Sequence, residues 1–247
     1  MIAGLYQIFN HWHEEGAVWI YSDPHFGDQD LEYNIHNRPS NEEHIKMINS
    51  KCGRKDTLII LGDVGDIECV RKLCAKRKVL IMGNHDAGRS NYERKVFTKI
   101  FDKKYYTKNV AFSAMATLYP GWRITIFEGR QSHSPFAYWE VNADNMLFDE
   151  VYEGPLMIAE KLILSHEPVN IPWAFNIHGH VHNPKHKNNN HHFNVCSDVI
   201  DYVPINFNQW MKSGYLSKIE TIHRDVIDKA TARARKRNQK EGKRLCK

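Results

Sequence analysis

The sequence predicts an α/β protein built on two stacked β-sheets with flanking helices. Three observations predict it. In the first half, short β-rich apolar runs alternate with helical stretches, the texture of βαβ units. In the second half, strand-like runs follow one another with turn signals between them, and two sheets accommodate that order better than one. Short polar motifs of Asp, His and Asn fall where the predicted strands end, the rim at which α/β proteins carry their ligands.

Taken in order, Val18–Tyr21, Leu58–Leu61 and Val79–Met82 read as strands because each is a short apolar run that stops at a turn signal. Glu42–Ser50 and Asp66–Lys76 read as helices, the second with Ile67, Val70 and Cys74 on one face. Asn91–Lys103 also reads as a helix, from the spacing of Val96, Ile100 and Phe101. Ala111–Tyr119 and Arg123–Glu128 read as two strands around a Pro120–Gly121 turn. Later strands are expected at Leu162–Ser165, Phe175–Ile177 and Phe193–Cys196. Ser217 and Glu220 have capping-box spacing and are expected to open a final helix, with Ile219, Ile222, Val226 and Ala230 on one face. The organisation expected is one domain over 1–228 followed by a tail over 229–247.

Bulk numbers narrow the class. A chain of 247 residues suits one domain with a sizeable core, or a domain plus a tail. It has no run of about eighteen apolar residues, so no membrane-spanning helix is expected. The first residues lack the basic and apolar regions of a signal peptide. Five cysteines with no CxxC pair read as free thiols in a reducing compartment, and the cytoplasm is the expected location. The net charge of +5 is unevenly placed: residues 229–247 hold nine Lys or Arg and one Glu. The rest of the chain is slightly acidic. Such a tail reads as a solvated terminus, or as a surface that binds phosphate backbones.

Five motifs carry the chemistry: SDPH with Asp23 and His25, LGDVGD with Asp63, MGNHD with Asn84, LSHEP with His166, and HGHVH with His180 and His182. Asp23 and His25 stand two residues apart at a strand end, so both can reach one ion. Asp63 offers two oxygens and can bridge two cations. Asn84 is a neutral oxygen donor suited to hard or borderline ions. His85 is adjacent and is expected to point away from that ion, which suits an acid or an orienting group. Asp66 by itself reads as a helix N-cap. His178 reads as part of a strand. Each motif alone is explained by loop polarity. The five together, each at a strand end, point to a two-metal centre that cleaves phosphate esters.

These blocks resemble the pattern of the calcineurin-like metallophosphoesterases: D-x-H, G-D-x-x-D, G-N-H-D, H and G-H-x-H, over roughly residues 17–210. NRPSNEEH at 37–44 and FNVCSDVIDYVPINF at 193–207 are similar to a branch of small phage and bacterial phosphoesterases. The resemblance implies a four-layer αββα sandwich of two mixed sheets. It implies that Asp23, His25 and His182 hold one metal, that Asn84, His166 and His180 hold the second, and that Asp63 bridges them. It implies that His85 faces the leaving-group oxygen and that Asp66 orients His85. The stretch 129–160 lies outside the family minimum and reads as an extended hairpin or as a cap beside the site.

The function expected is metal-dependent hydrolysis of a small or nucleotide-like phosphate ester, monoester or diester, by a bridging hydroxide. Arg38 is a candidate phosphate clamp, because guanidinium matches phosphate in a bidentate way, and it also reads as a surface residue. The mixed oxygen and nitrogen donors suit two divalent ions drawn from Mn2+, Fe2+, Zn2+ or Ni2+. The alternative is a nuclease that grips DNA or RNA through the basic tail. A non-catalytic scaffold is disfavoured because every ligand position is filled. The sequence leaves the oligomeric state open.

Overall fold

The computed structural model of the chain describes residues 2, 4–35, 38–86, 91–130, 136–183, 188–219 and 226–236. Three strands set the frame: β1 (Val18–Tyr21), β2 (Thr57–Ile60) and β3 (Arg77–Ile81) pair in parallel, with Ile20 opposite Ile59 and Ile59 opposite Val79. β7 (Glu150–Tyr152) adds in parallel beyond β3, and β12 (Ile205–Asn206) pairs antiparallel with β1. The second sheet has the order β11 (His192–Asn194), β10 (Phe175–His178), β9 (Leu162–Leu164), β8 (Leu156–Ala159). β9, β10 and β11 run parallel, and β8 is antiparallel to β9. Both sheets are mixed, and with their flanking helices they form the α/β architecture of two stacked sheets expected from the sequence.

The sheets stack because alternate residues of each strand are apolar on the facing side. Val18, Ile20, Ile59, Leu61, Val79 and Ile81 of the first sheet pack with Ile158, Leu162, Leu164, Phe175 and Ile177 of the second. Central strands buried on both faces need apolar residues throughout, and β2 is buried at all four positions. Its other face, with Tyr21, Leu58, Ile60 and Leu80, meets α2 (Asn41–Lys51) through Ile45 and Ile48 and α3 (Ile67–Arg71) through Cys69 and Val70. A capping box starts α2: the Ser40 side chain accepts from the Glu43 amide, and the Glu43 carboxylate accepts from the Ser40 amide. A short α1 (Gln29–Asn34) and α5 (Phe207–Met211) complete the helices of the body.

A third sheet departs from the sequence expectations. Asn91–Lys103 is not a helix: Val96–Asp102 form β4, a strand paired residue for residue with β6 (Ala137–Asp144). The spacing of Val96, Ile100 and Phe101 suits either element, and the β-branched and aromatic run VFTKIF favours a strand once a partner exists. Conversely, Ala111–Tyr119 is not a strand: its residues through Leu118 lie in α4 (Lys108–Leu118), and Tyr119 is the C-cap. Thr107 caps it by accepting from the Val110 amide, and Ala111 and Met115, one turn apart, are buried on its inner face. The Pro120–Gly121 turn therefore joins this helix to β5 (Arg123–Arg130), which pairs antiparallel with β6. α4 packs on this sheet around Phe101, Val141 and Ala143.

The chain's end also differs from expectation. Ser217 sits inside a 3-10 turn and donates to the Gly214 carbonyl, so it does not cap a helix. Ile219 is buried in the main core, whereas Val226 and Ala230 are exposed on a helical run over 226–236. Glu220 and Ile222, like His133 in the 129–160 stretch, lie outside the described residues. No helix among the described residues is long and apolar enough to cross a membrane.

Candidate metal centre

Parallel pairing gathers the motifs. Asp23, Asp63 and Asn84 follow the carboxyl ends of β1, β2 and β3, three adjacent strands running the same way. His166 and His180 follow β9 and β10, adjacent strands of the facing sheet. A bridge between Ser22 and Cys196 and the hydrogen bond from the His180 amide to Asp23 Oδ2, at 2.8 Å, close the two rims on each other.

Three overlapping groups of donors result among the described residues: Asp63 with His166 and His180, Asp63 with Asp23 and His25, and Asp23 with His182 and Cys196, so that Asp63 belongs to the first two and Asp23 links the last two. In the first, Asp63 Oδ2, Asn84 Oδ1 and His180 Nδ1 lie 3.3, 2.8 and 3.1 Å from His166 Nε2. In the other two, His25 Nε2 is 3.5 Å from Asp63 Oδ2 and 3.8 Å from Asp23 Oδ1, and His182 Nε2 is 3.6 Å from Asp23 Oδ1. Donors each about 2.0–2.2 Å from one ion lie roughly 3–3.5 Å from one another, so these separations suit shared cations. Asp23 Oδ1 and His25 Nε2 are buried without a hydrogen-bond partner among the described residues. Buried polar atoms are ordinarily partnered, and a cation completes such a pair. The residues therefore fit a pair of divalent ions.

Backbone strain clusters at the same place. Asp23, His25, Asp63 and His180 have φ of 55, 42, 51 and 64°, in the left-handed region that costs a non-glycine residue about 1–3 kcal/mol. Gly179 and Gly83 make room. A Cβ at Gly179 would overlap Ser22 Oγ and Asp23 Oδ2, and one at Gly83 would overlap Asp63 Oδ1.

Fixed acceptors set the histidine tautomers. The Leu61 carbonyl can only accept, so His166 Nδ1 donates to it at 2.8 Å and Nε2 faces the cluster. His182 Nδ1 donates to Asp198 Oδ2 at 2.5 Å, which turns its Nε2 to Asp23. Burial holds the Asp23 carboxyl above its usual range. Burial also opposes ionisation of Asp63, but the His166 hydrogen bond and the His85 amide outweigh it and hold this carboxyl low. Burial likewise disfavours a charged His166, and Asp63 with Asp23 overcomes it, raising its pKa to about 9. A proton is thus strongly held where a cation would replace it.

The remaining expected residues sit differently. His85 is exposed at the rim, its amide donating to Asp63 Oδ1 at 2.9 Å and its ring centroid 5.6 Å from that of His25. Asp66 caps α3 by accepting from the Glu68 amide at 2.9 Å, and among the described residues no hydrogen bond joins it to His85. Arg38 is brought behind the cluster instead of into it. Its side chain is 2% exposed and donates to Asp198 Oδ1 at 2.7 Å and to the Pro24 carbonyl at 2.6 Å, so its fork is already engaged. His178 lies in β10, buried and bonded to the Gly179 carbonyl, with burial lowering its pKa to about 4.

Two carboxylates escaped the sequence reading. Asp198 joins His182, Arg38 and the Tyr202 hydroxyl, and its place beside Cys196 in the NVCSD block was the only signal. Asp86 is fully buried and accepts from the amides of Asp63, Val64 and Gly83 at 2.7, 3.1 and 3.0 Å, tying the loops after β2 and β3 together. It is the last residue of MGNHD. Cys196 also nears the cluster, its Sγ 3.4 Å from His182 Nδ1, but burial and the Asp23 and Asp198 carboxylates push its thiol pKa up and keep it protonated.

No curated protein matches the chain. Among solved structures, a protein of unknown function, AQ665, from Aquifex aeolicus is 18% identical with a TM-score of 0.46, covering 79% of this chain and 98% of that one. A nuclease, MPE, from Pseudomonas putida is 18% identical with a TM-score of 0.33, covering 67% of this chain and 61% of that one. The family model for calcineurin-like phosphoesterases matches residues 16–203, which span β1 to Val203 and hold every motif of the cluster. By that match, the chain belongs to the calcineurin-like phosphoesterase family.

Proposed function

We propose that the chain hydrolyses phosphate esters with two divalent ions that share Asp63, acting on small or nucleotide-like monoesters or diesters. The observation that carries this reading is the position of Asp63 Oδ2, 3.5 Å from His25 Nε2 and 3.3 Å from His166 Nε2. Asp23, His25 and His182 would hold one ion, and Asn84, His166 and His180 the other. Bound there, Mn2+, Fe2+, Zn2+ or Ni2+ supplies Lewis acidity and a water acidified toward neutral pH.

The chain's own residues do the rest. Asp198 and the Leu61 carbonyl hold His182 and His166 in the tautomer that presents Nε2. Asp86 fixes the loops that carry Asp63 and Asn84. His85 is exposed at the rim and would give a proton to the departing oxygen. The test is a Mn2+-loaded assay that compares a phenyl phosphate monoester, a bis-phenyl diester and cyclic nucleotides. Hydrolysis retained by Asp63→Asn would sink the two-ion reading.

A nucleic-acid substrate is the second reading. It is favoured by the exposed helical run over 226–236, which presents Lys229, Arg233, Arg235 and Lys236. Oligonucleotide cleavage unaffected by deletion of 229–247 would remove the tail from substrate binding.

A further inference from the structure

The opposite rim of the first sheet carries a second concentration of charge. β3 runs from Arg77 at that rim toward Asn84 at the metal centre, and its five residues at about 3.3 Å each separate the two ends by roughly 17 Å. A cleft of about 700 Å³ opens there, within the range of small-ligand sites. Nine Lys or Arg and four Asp or Glu line it. The acids are largely engaged. Asp144 accepts from both Arg94 and Arg123, Asp149 from Arg94 and the Lys78 amide, and Glu15 pairs with Lys76. Arg54, Lys55 and Lys72 have no carboxylate partner among the described residues.

We infer that this cleft binds a small anion bearing two or more phosphates, at a site separate from the metal centre. Two donors on its walls are withheld from water. The Arg71 side chain is 13% exposed and pairs through Nη1 with Glu68 at 2.9 Å, and its Nε is buried with no hydrogen-bond partner among the described residues. Lys78 is buried, and its Nζ donates to the Val70 and Met146 carbonyls at 3.0 and 2.5 Å, leaving one of three N–H groups for a further acceptor. Burial lowers the Lys78 pKa to about 8, which an adjacent anion would reverse. Phosphate oxygens match these needs, since guanidinium forks and ammonium groups bind them with charge-assisted hydrogen bonds.

The walls are richer in phosphate-binding groups than in stacking faces. Trp12 is 1% exposed, and its indole N–H is bonded to Glu150 at 3.0 Å, so it offers no stacking face. The chemistry is therefore that of a diphosphate, free or as the tail of a nucleotide.

The test is calorimetric titration of the full-length Asp63→Asn protein with methylene diphosphonate, which no hydrolysis consumes. That background weakens binding of the probe at the metal centre. Binding near one equivalent is expected, and it should weaken about tenfold or more when Arg54→Ala and Lys72→Ala are added. The same two substitutions in the otherwise natural chain should leave phosphoester hydrolysis unchanged. Arg71→Gln is the second variant, and circular dichroism checks that each protein is folded. No binding in the Asp63→Asn background, or affinity unchanged by Arg54→Ala with Lys72→Ala, overturns the inference. Tighter binding of a single-stranded oligonucleotide than of the diphosphonate overturns the assignment to a small anion.

Discussion

His182 Nδ1 and Asp198 Oδ2 are 2.5 Å apart, and Asp198 also receives Arg38 Nη1 at 2.7 Å and the Tyr202 hydroxyl at 2.6 Å. Three donors on one buried carboxylate hold it ionised, since its pKa stays low against the cost of burial. The ring of His182 is thereby locked with Nε2 toward Asp23. Partners of this kind typically contribute about 10–100-fold to metal affinity. Asp198→Asn is therefore expected to weaken binding at the Asp23–His25–His182 group by about that factor, read by metal titration of folded protein. Unchanged affinity would show that His182 is oriented by other contacts.

Asp63 is shared by the His166–His180 group and the Asp23–His25 group. Asp63→Asn keeps the shape but removes the charge that two ions share. Metal analysis should then fall from two equivalents toward one or none, and hydrolysis should drop about a thousandfold or more. Two tightly bound equivalents in the variant would contradict the shared-ligand geometry.

Gly179 faces Ser22 and Asp23 with no space for a methyl group. Gly179→Ala must push the β1 loop away, at a cost of about 1–3 kcal/mol for overpacking. Thermal unfolding should register that loss, together with weakened metal binding because Asp23 moves. A variant with natural stability and natural metal affinity would show that the two rims approach less closely.

Among the described residues no hydrogen bond joins His85 to Asp66, and their variants should behave differently. His85→Ala is expected to lower kcat about 10²–10⁴-fold with metal content retained. Asp66→Ala should instead cost about 1 kcal/mol of stability, as loss of the α3 cap. A kcat loss in Asp66→Asn that matches His85→Ala would restore the pair as a unit.

His44 is buried beside Tyr21, whose hydroxyl it meets, and burial with the Arg38 charge lowers its pKa from 6.5 to about 3. Between these values the unfolded chain binds a proton that the native chain does not. Stability attributable to this site is thus lost as pH falls from about 6.5 toward 3, approaching about 1.4 kcal/mol per pH unit. Denaturant unfolding at several pH values should show a flatter acid slope for His44→Gln than for the natural chain. Equal slopes would mean that His44 titrates normally.

Most of the main architecture was legible in the chain because β1, β2, β3, β9 and β10 are short apolar runs cut off by Gly, Asp or His. The region 91–119 was not. VFTKIF and AFSAMATL each carry apolar residues compatible with either period. The seven-residue pairing of β4 with β6, some forty positions away, decided the first, and the Thr107 cap decided the second. Long-range pairing leaves no local trace in sequence.

The sequence by itself determined which residues can ligate and the rim on which they fall, because ligand type is a matter of side-chain chemistry and strand ends are marked locally. The tertiary structure decided how they are held. It engaged Arg38 with Asp198 and made Asp86 the tie between two loops. Each of those outcomes depends on which groups are buried together, and burial is a property of the packed sheets, not of any segment.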